Sequence, residues 1–384
     1  MDSYLGILLA YLLFWTVIYI VSKVFKTERY GFAAGPLYFI YRTARFNGLL
    51  RKIASRGRMW RVVWNIGVAV GFGQICFILL TLLRNIVLLM SKSSQAAPIM
   101  VLIPGITISS ESLPYILFSL IVVVVTHEVA HGVASVVEGI PLKSSGMFFA
   151  VVMPGAFVEP DEETLQRADE VKQLRIYSAG SFSNIVFGIL SIVLIVNFAA
   201  TISPFFNTAP GGILITGVAE AGAAEGVGLR RWDVIYAINT TEIDSVEGLM
   251  KYMVKVTPGS YIKVDSDRGE FMVKTQPNIS NSSRAMIGIS PFNFYAPKTT
   301  LFPKSAPYHL YMTEYWLNAL LIGIALINML PLHPFDGGRY VHSLLKMAKF
   351  SRSEEIRNVI SIFALTVLAL NILLTFMTFG LRKV

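Results

Sequence analysis

The chain alternates between long apolar stretches and shorter polar connectors. A helix needs about 20 apolar residues to cross a bilayer. Five stretches reach or approach that length, at residues 5–22, 62–83, 116–137, 175–200 and 359–379, and a shorter sixth at residues 318–330 opens the last membrane block. The first is too long for the core of a signal peptide and lacks a basic leader, so we interpret it as a membrane span. The pattern predicts a polytopic α-helical membrane protein with about six transmembrane helices.

Between the fourth and fifth spans the pattern changes to short segments in which apolar and polar residues alternate. Strands are predicted at residues 212–218, 233–239, 261–264 and 270–274, and a helix at residues 245–256. Such segments with frequent turns are typical of a compact soluble domain. We therefore predict one inserted α+β domain over residues 204–300.

A second irregular segment follows the third span, at residues 139–163. Its apolar run is bracketed by glycine and proline and is too short to span as a helix, which predicts a re-entrant β-hairpin. Such backbone is stable at membrane depth only where it lines protein or a wet cavity. The hairpin edge around Gly155 could pair with an extended substrate. The alternative is a hairpin that only packs.

Composition agrees with a membrane protein, since 54% of the residues are hydrophobic, 15% are charged and the mean hydropathy is +0.59. The net charge of +9 does not indicate a nucleic-acid partner, because the basic residues gather beside the apolar spans. Eight of them lie in the connector after the first span: Arg29, Arg42, Arg45, Arg51, Lys52, Arg56, Arg58 and Arg61. This connector is predicted to be cytoplasmic, as a surface helix on anionic lipid.

These features divide the chain into four regions. Residues 1–91 hold two helices and the basic connector, and residues 112–203 form a membrane region with the hairpin and the fourth helix. The α+β domain follows at 204–300, and residues 313–384 form a C-terminal membrane region. The positive-inside rule places the N-terminus and the α+β domain outside the cell. We expect the membrane to be the plasma membrane of a prokaryote. The sequence does not predict an oligomeric state.

The third span contains the pattern HExxH, formed by His127, Glu128 and His131. On a helix the two histidines leave the same face one turn apart and can bind one zinc ion. Glu128 is then placed to take a proton from a water on the metal. Ionisable side chains within a membrane span indicate a functional site by default. The alternative is a chance pattern with hydrogen-bonded core histidines.

A catalytic zinc requires a third protein ligand and one open position. Asp336 is the carboxylate in the apolar part of the C-terminal block, after a helix break at Pro331 and Pro334. His333 is the competing ligand. Asn328, before the break, and Asn184, in the fourth span, are candidates to hold the substrate backbone or a developing oxyanion.

These residues predict hydrolysis of a peptide bond within or beside the bilayer. Zinc-bound water ionises near pH 7, and Glu128 would act as general base. A transporter would instead distribute its polar residues along several spans. An inactive scaffold would not require the set of His127, Glu128, His131 and Asp336.

Together these motifs resemble the site-2 protease family of intramembrane zinc metalloproteases. The resemblance rests on HExxH, on the hairpin that ends Pro-Gly-Ala-Phe-Val-Glu at residues 154–159, and on N-x-x-P-x-x-P-x-D-G-G at residues 328–338. It implies that Glu128 is catalytic and that Asp336 is the third ligand. It also implies that the hairpin, Asn184 and Asn328 handle substrate, and that the substrates are membrane-anchored proteins.

The inserted domain resembles a PDZ domain. The matching features are residues 221–224, Gly228, residues 233–235 and Gly259. Trp232 departs from the pattern, because PDZ repeats of this family usually carry glycine before the aspartate. The domain could bind peptide by strand addition, or it could act as a steric gate for substrates.

Overall fold

A computed structural model describes residues 2–99, 103, 107–151, 153–278 and 281–380. The chain forms two compact units. One consists of Met1–Ser191 and Tyr315–Val384, and the other is Ile192–Glu314. The first unit combines long helices with one small sheet, whereas the second is mainly a sheet with short helices.

The helices account for most of the first unit. In chain order the helices of both units are α1 Asp2–Val24, α2 Arg45–Ala54, α3 Gly57–Met90, α4 Leu113–Val137, α5 Glu162–Arg167, α6 Glu170–Val196, α7 Phe198–Ile202, α8 Ala223–Gly226, α9 Val246–Met253, α10 Ala306–Asn328, α11 Asp336–Met347 and α12 Ser353–Phe379. Of these, α7, α8 and α9 lie in the second unit. Among the described residues, α3, α4, α6, α10 and α12 are long and apolar enough to cross a membrane. The apolar part of α1, Leu9–Val24, is shorter. The predicted polytopic helical class is confirmed, with five helices of spanning length in the described chain.

The predicted hairpin is part of a larger sheet. Strands β1 Phe32–Gly35, β2 Tyr38–Thr43, β3 Leu142–Ala150 and β4 Met153–Pro160 form an antiparallel sheet in that order. The prediction of a surface helix over the whole basic connector was therefore wrong. Its aromatic and β-branched run favours a strand, and β3 supplies the pairing partner. No strand of the described chain pairs with the outer edge of β4.

Arg58 and Arg61 belong to the start of α3, and in the preceding part of the connector α2 keeps the predicted α-helical form. It buries Asn47, Leu50 and Ala54 on one face. The Asn47 amide donates to the carbonyl of Leu142 at 3.1 Å and accepts from the hydroxyl of Ser145 at 3.1 Å. The connector is thus fixed to β3 by hydrogen bonds as well as by strand pairing.

The C-terminal block departs from prediction both before and after its helix break. Helix α10 begins at Ala306, well before the predicted start at residue 318, because its polar first half hides the apolar pattern. After the break the chain forms a separate helix, α11. A Cβ atom at Gly337 would lie 2.4 Å from the backbone of Met329, so glycine allows α11 to start against the preceding loop.

The second unit contains strands β5 Ile213–Val218, β6 Val234–Ile238, β7 Thr241–Glu242, β8 Tyr261–Ser266, β9 Gly269–Lys274, β10 Gln276–Pro277, β11 Ala285–Met286 and β12 Ile289–Asn293. The main sheet has the order β12-β5-β6-β8-β9, and β7 pairs with β6. Isoleucine, valine and leucine side chains fill its core. The predicted α+β domain is confirmed. Sequence patterning missed β12, which contains Pro291 and a register shift.

Trp232, the residue that departs from the PDZ-like sequence pattern, lies in the turn before β6. Its φ angle of 75° lies in the left-handed region that glycine adopts most easily. The Arg231 guanidinium lies 4.5 Å from the centre of its ring, and Tyr308 packs edge-on against it. These contacts offset the backbone strain of a large side chain at this turn.

A buried ion pair joins α4 to α6. The Glu138 side chain is 1% exposed, and its carboxylate accepts from Arg175 Nη1 at 3.0 Å. Arg61 of α3 approaches the same carboxylate at 3.8 Å. The Arg175 Nε–H also donates to Asn65 of α3 at 2.8 Å, so this group ties three helices together.

Replacing Glu138 by alanine should destabilise the helical unit by about 3 kcal/mol, because removal of the buried carboxylate leaves the partly buried Arg175 guanidinium without its anion. Thermal unfolding of the detergent-purified protein measures this loss. Glu163→Ala is the matched control, since the Glu163–Arg167 pair is exposed and contributes little. Equal unfolding temperatures for the two variants would contradict the assignment.

Candidate metal centre

Three donor atoms from two distant motifs converge at one point in the first unit. His127 Nε2 lies 3.2 Å from Asp336 Oδ2, His131 Nε2 lies 3.1 Å from the same oxygen, and the two nitrogens are 3.1 Å apart. A tetrahedral zinc ion with bonds of 2.0–2.2 Å holds its ligands about 3.3 Å from one another. The spacing of this triangle therefore fits a single ion of that size, with one position open.

The secondary structure explains how these atoms meet. His127 and His131 lie one turn apart on α4 and project from the same face. Asp336 is the first residue of α11, directly after the break that follows α10. The break turns the chain so that the carboxylate faces α4. His333 lies outside this cluster of donors, although sequence reasoning had left it as the competing ligand.

Hydrogen bonds fix both imidazoles. Nδ1–H of His131 donates to the carbonyl of Ile176 at 2.8 Å, which leaves Nε2 free to bind a metal. Nδ1 of His127 lies 3.2 Å from the amide of Asn184. The Thr126 hydroxyl contacts the same amide at 3.2 Å and holds it in place. These partners orient the two rings before any ion binds.

Gly180 of α6 is a site residue that sequence reasoning missed. A Cβ atom there would lie 2.4 Å from His131 Nε2 and 2.5 Å from His127 Nε2. The space for a metal beside the imidazoles therefore exists only because position 180 has no side chain. Small residues in a membrane helix are usually explained by close helix packing, so the sequence gives Gly180 no signal of its own.

The donors open onto a cavity of about 260 Å³. Its lining consists of His127, Glu128, His131, Val158, Pro160, Glu162, Leu165, Ile176, Tyr177, Asn328, Pro334, Phe335, Asp336 and Arg339. The Glu128 carboxylate accepts a hydrogen bond from the backbone N–H of Val158 in β4 at 3.0 Å. The Asn328 amide lies 3.4 Å from His127 Nε2. The predicted base and one predicted amide thus share the cavity with the donors.

The other two predicted substrate residues lie elsewhere. Asn184 is fully buried against His127 and does not line the cavity. Gly155 does not line it either, and a Cβ atom there would lie 2.2 Å from the ring of Phe148 on the paired strand. Position therefore favours an orienting role for Asn184 and a packing role for Gly155.

Introducing a methyl group at position 180 should displace the ion. Gly180→Ala is expected to weaken Zn²⁺ binding at least tenfold, because its Cβ would overlap the space beside both Nε2 atoms. Equilibrium dialysis of the purified protein measures the affinity. Gly323→Ala is the matched control, since no atom lies within 4 Å of a Cβ built there. Unchanged affinity in Gly180→Ala would show that the ion binds elsewhere.

Removal of the Asn184 amide should also weaken binding. Partners of metal-bound histidines typically account for 10–100-fold in affinity. We expect a loss of that size in Asn184→Ala and a smaller one in Asn184→Asp, in which a carboxylate oxygen replaces the amide nitrogen beside His127 Nδ1 and can accept from Nδ1–H when Nε2 binds the metal. Competition with a chromophoric chelator measures both. If both variants bind as wild type does, Asn184 only fills space.

Comparison with known proteins connects this site to a family. Residues 115–370 match the model of peptidase family M50. An uncharacterized protein of Methanocaldococcus jannaschii is 27% identical over 342 residues, which cover 88% of this chain and 84% of that protein. A membrane-bound transcription factor site-2 protease homolog of Arabidopsis thaliana is 29% identical over 180 residues, or 45% of this chain and 34% of that protein.

Among solved structures, PDZ domains of SdrC-like proteins from Listeria monocytogenes and Listeria innocua each match 21% of this chain. The matched segments cover 87% and 94% of the two Listeria domains, with identities of 20% and 21% and TM-scores of 0.19 and 0.20.

The match to the family model extends over more than half of the chain and includes both metal-binding motifs and the inserted domain. The resemblance inferred from the motifs is thereby confirmed. The chain belongs to peptidase family M50, the site-2 protease family.

Proposed function

We propose that the chain is an intramembrane zinc endopeptidase that cleaves membrane-anchored proteins within or beside their transmembrane segments. The observation that carries this proposal is the convergence of His127, His131 and Asp336 on a cavity that Glu128 also lines. Membership of a peptidase family and five helices of spanning length support a membrane metalloprotease.

His127, His131 and Asp336 would hold the zinc. When bound, zinc supplies an acidified water and polarises the scissile carbonyl. Glu128 would take the proton from the attacking water and return it to the leaving amine. Asn328 would donate its amide N–H to the oxygen on which negative charge develops. The hydrogen bond of His131 to the Ile176 carbonyl and the contact of Asn184 with His127 would keep the two imidazoles in place.

The edge of β4 offers a binding surface for the substrate backbone. A transmembrane helix satisfies its own hydrogen bonds, so it must unwind before a carbonyl becomes accessible. A free strand edge supplies replacement partners for the unwound segment. The Val158 N–H faces the active-site cavity and bonds to Glu128, which supports this edge as the substrate side of the sheet.

The charge pattern supports an orientation. Cations flank the membrane helices at the connector and after Asp336, where Arg339, Lys346, Lys349 and Arg352 follow. By the positive-inside rule, these segments would face the cytoplasm. The active site would then lie nearer the cytoplasmic side, and the PDZ-like domain would lie outside the cell. There it would either bind peptide or restrict which substrates enter.

Replacing Glu128 by glutamine should abolish proteolysis without loss of metal. We expect the rate to fall by about 10²–10⁴-fold, the usual contribution of a general base. Cleavage of a purified single-span reporter in proteoliposomes measures the rate, and metal analysis of the same sample checks the site. Glu163→Gln is the control, because the Glu163 side chain is 71% exposed and does not line the cavity.

Two outcomes would contradict the proposal. If Glu128→Gln cleaves the reporter as fast as wild type, Glu128 is not the base. If the metal-loaded wild type cleaves no single-span membrane protein from a representative set, a scaffold or transport role replaces the protease.

A further inference from the structure

A second cavity, of about 300 Å³, adjoins the candidate active site. Its lining consists of Glu162, Gln166, Gln173, Tyr177, His333, Gly338, Arg339, His342, Ser343, Lys346 and Arg357. We call it the basic cavity. Its walls come from α5, α6, α11, α12 and the loop before α11. It belongs entirely to the first unit.

The charges of the basic cavity are unbalanced. Three cations line it, Arg339, Lys346 and Arg357, against one carboxylate, Glu162. Arg357 contacts Glu354 at 3.4 Å, and the Glu354 side chain is 74% exposed. Within the described residues, Arg339 and Lys346 form no ion pair. The cavity therefore attracts negative charge, because three cations outnumber the one carboxylate that lines it.

An unused hydrogen-bonding group adds to this character. Nδ1 of His342, a lining residue, is buried and makes no hydrogen bond of normal geometry among the described residues, although the Ser353 backbone interacts with the same imidazole. Buried polar atoms normally have a partner. A ligand that accepts hydrogen bonds from an imidazole and from cationic side chains would satisfy this atom.

The basic cavity is continuous with the active-site cavity. Glu162, Tyr177 and Arg339 line both. Along the chain, Val158 and Pro160 line the active-site cavity, and Gln166 lines only the basic one. A polypeptide extended along β4 would therefore leave the active site toward the basic cavity.

Helix α11 connects the two cavities. Asp336, Arg339, His342 and Lys346 are spaced three or four residues apart, so they share one face of the helix. At 1.5 Å per residue, Lys346 lies about 15 Å along the axis from the metal ligand Asp336. An extended peptide covers that distance in about four or five residues.

We propose that the basic cavity binds an acidic side chain of the substrate polypeptide, about four or five residues from the scissile bond. The inference rests on the proposed protease function and adds a preference for Asp or Glu at that position. Continuity with the active-site cavity favours a residue of the substrate chain over a free anion, because the same polypeptide would pass both sites.

The test uses single-span reporters that differ at one position. Each reporter carries either Glu or Gln at successive positions around the cleaved bond, which mass spectrometry of the products locates. With wild type in neutral-lipid proteoliposomes, kcat/KM should be about tenfold higher for Glu than for Gln at one or two neighbouring positions. Lys346→Glu should remove or reverse that ratio, and a Lys reporter at the same position should then be preferred.

Lys349→Glu is the matched control. Lys349 is exposed, lies three residues from Lys346 and does not line the cavity, so the same change of charge there should keep the wild-type ratio. Lys346→Gln should give an intermediate ratio. Because it removes the charge without reversing it, it keeps the test valid if Lys346→Glu fails to fold.

Three results would overturn the inference. A Glu/Gln ratio near one at every position, with both reporters still cleaved, removes the acidic preference and leaves the protease function intact. A rate that depends on added phosphate or anionic lipid, equally for Glu and Gln reporters and only when Lys346 is present, assigns the cavity to a phosphate group. Absence of cleavage of every reporter by wild type removes the protease function itself.

Discussion

The structure depends on three polar side chains that meet within an apolar helix bundle. An isolated carboxylate or imidazole in hydrocarbon has no water to bond with, and its burial is costly. Here His127, His131 and Asp336 lie 3.1–3.2 Å from one another, so each offsets the burial of the others and all three suit one divalent ion. The bundle can hold such a group only if α4, α6 and α11 approach closely.

Several features far apart in sequence serve that approach. Gly180 leaves space beside the imidazoles, and Gly337 lets α11 begin against the loop that follows α10. The carbonyl of Ile176 fixes one ring. In the cavity that the donors line, the edge of β4 holds Glu128 through the N–H of Val158. Helix α4 therefore carries both the two histidines and the carboxylate that contacts the strand edge.

The sequence predicted those parts of this arrangement whose signals lie within a few neighbouring residues, and it missed those that depend on distant parts of the chain. HExxH is local, because helical spacing alone brings the two histidines together, and Asp336 stands out as a carboxylate in an apolar block. Gly180 has no such signal, since a small residue in a membrane helix is already explained by packing. Strand β2 was missed although β1 pairs with it locally, because its other partner β3 lies about a hundred residues away, and pairing rather than propensity decides its form.

The most direct test is the position of the metal itself. Anomalous diffraction at the zinc absorption edge, from crystals of the purified protein, locates the ion without reference to activity. We expect one peak about 2.0–2.2 Å from Nε2 of His127, Nε2 of His131 and an oxygen of Asp336. A peak coordinated by His333 without Asp336, or no peak at these residues in zinc-loaded crystals, would contradict the assignment.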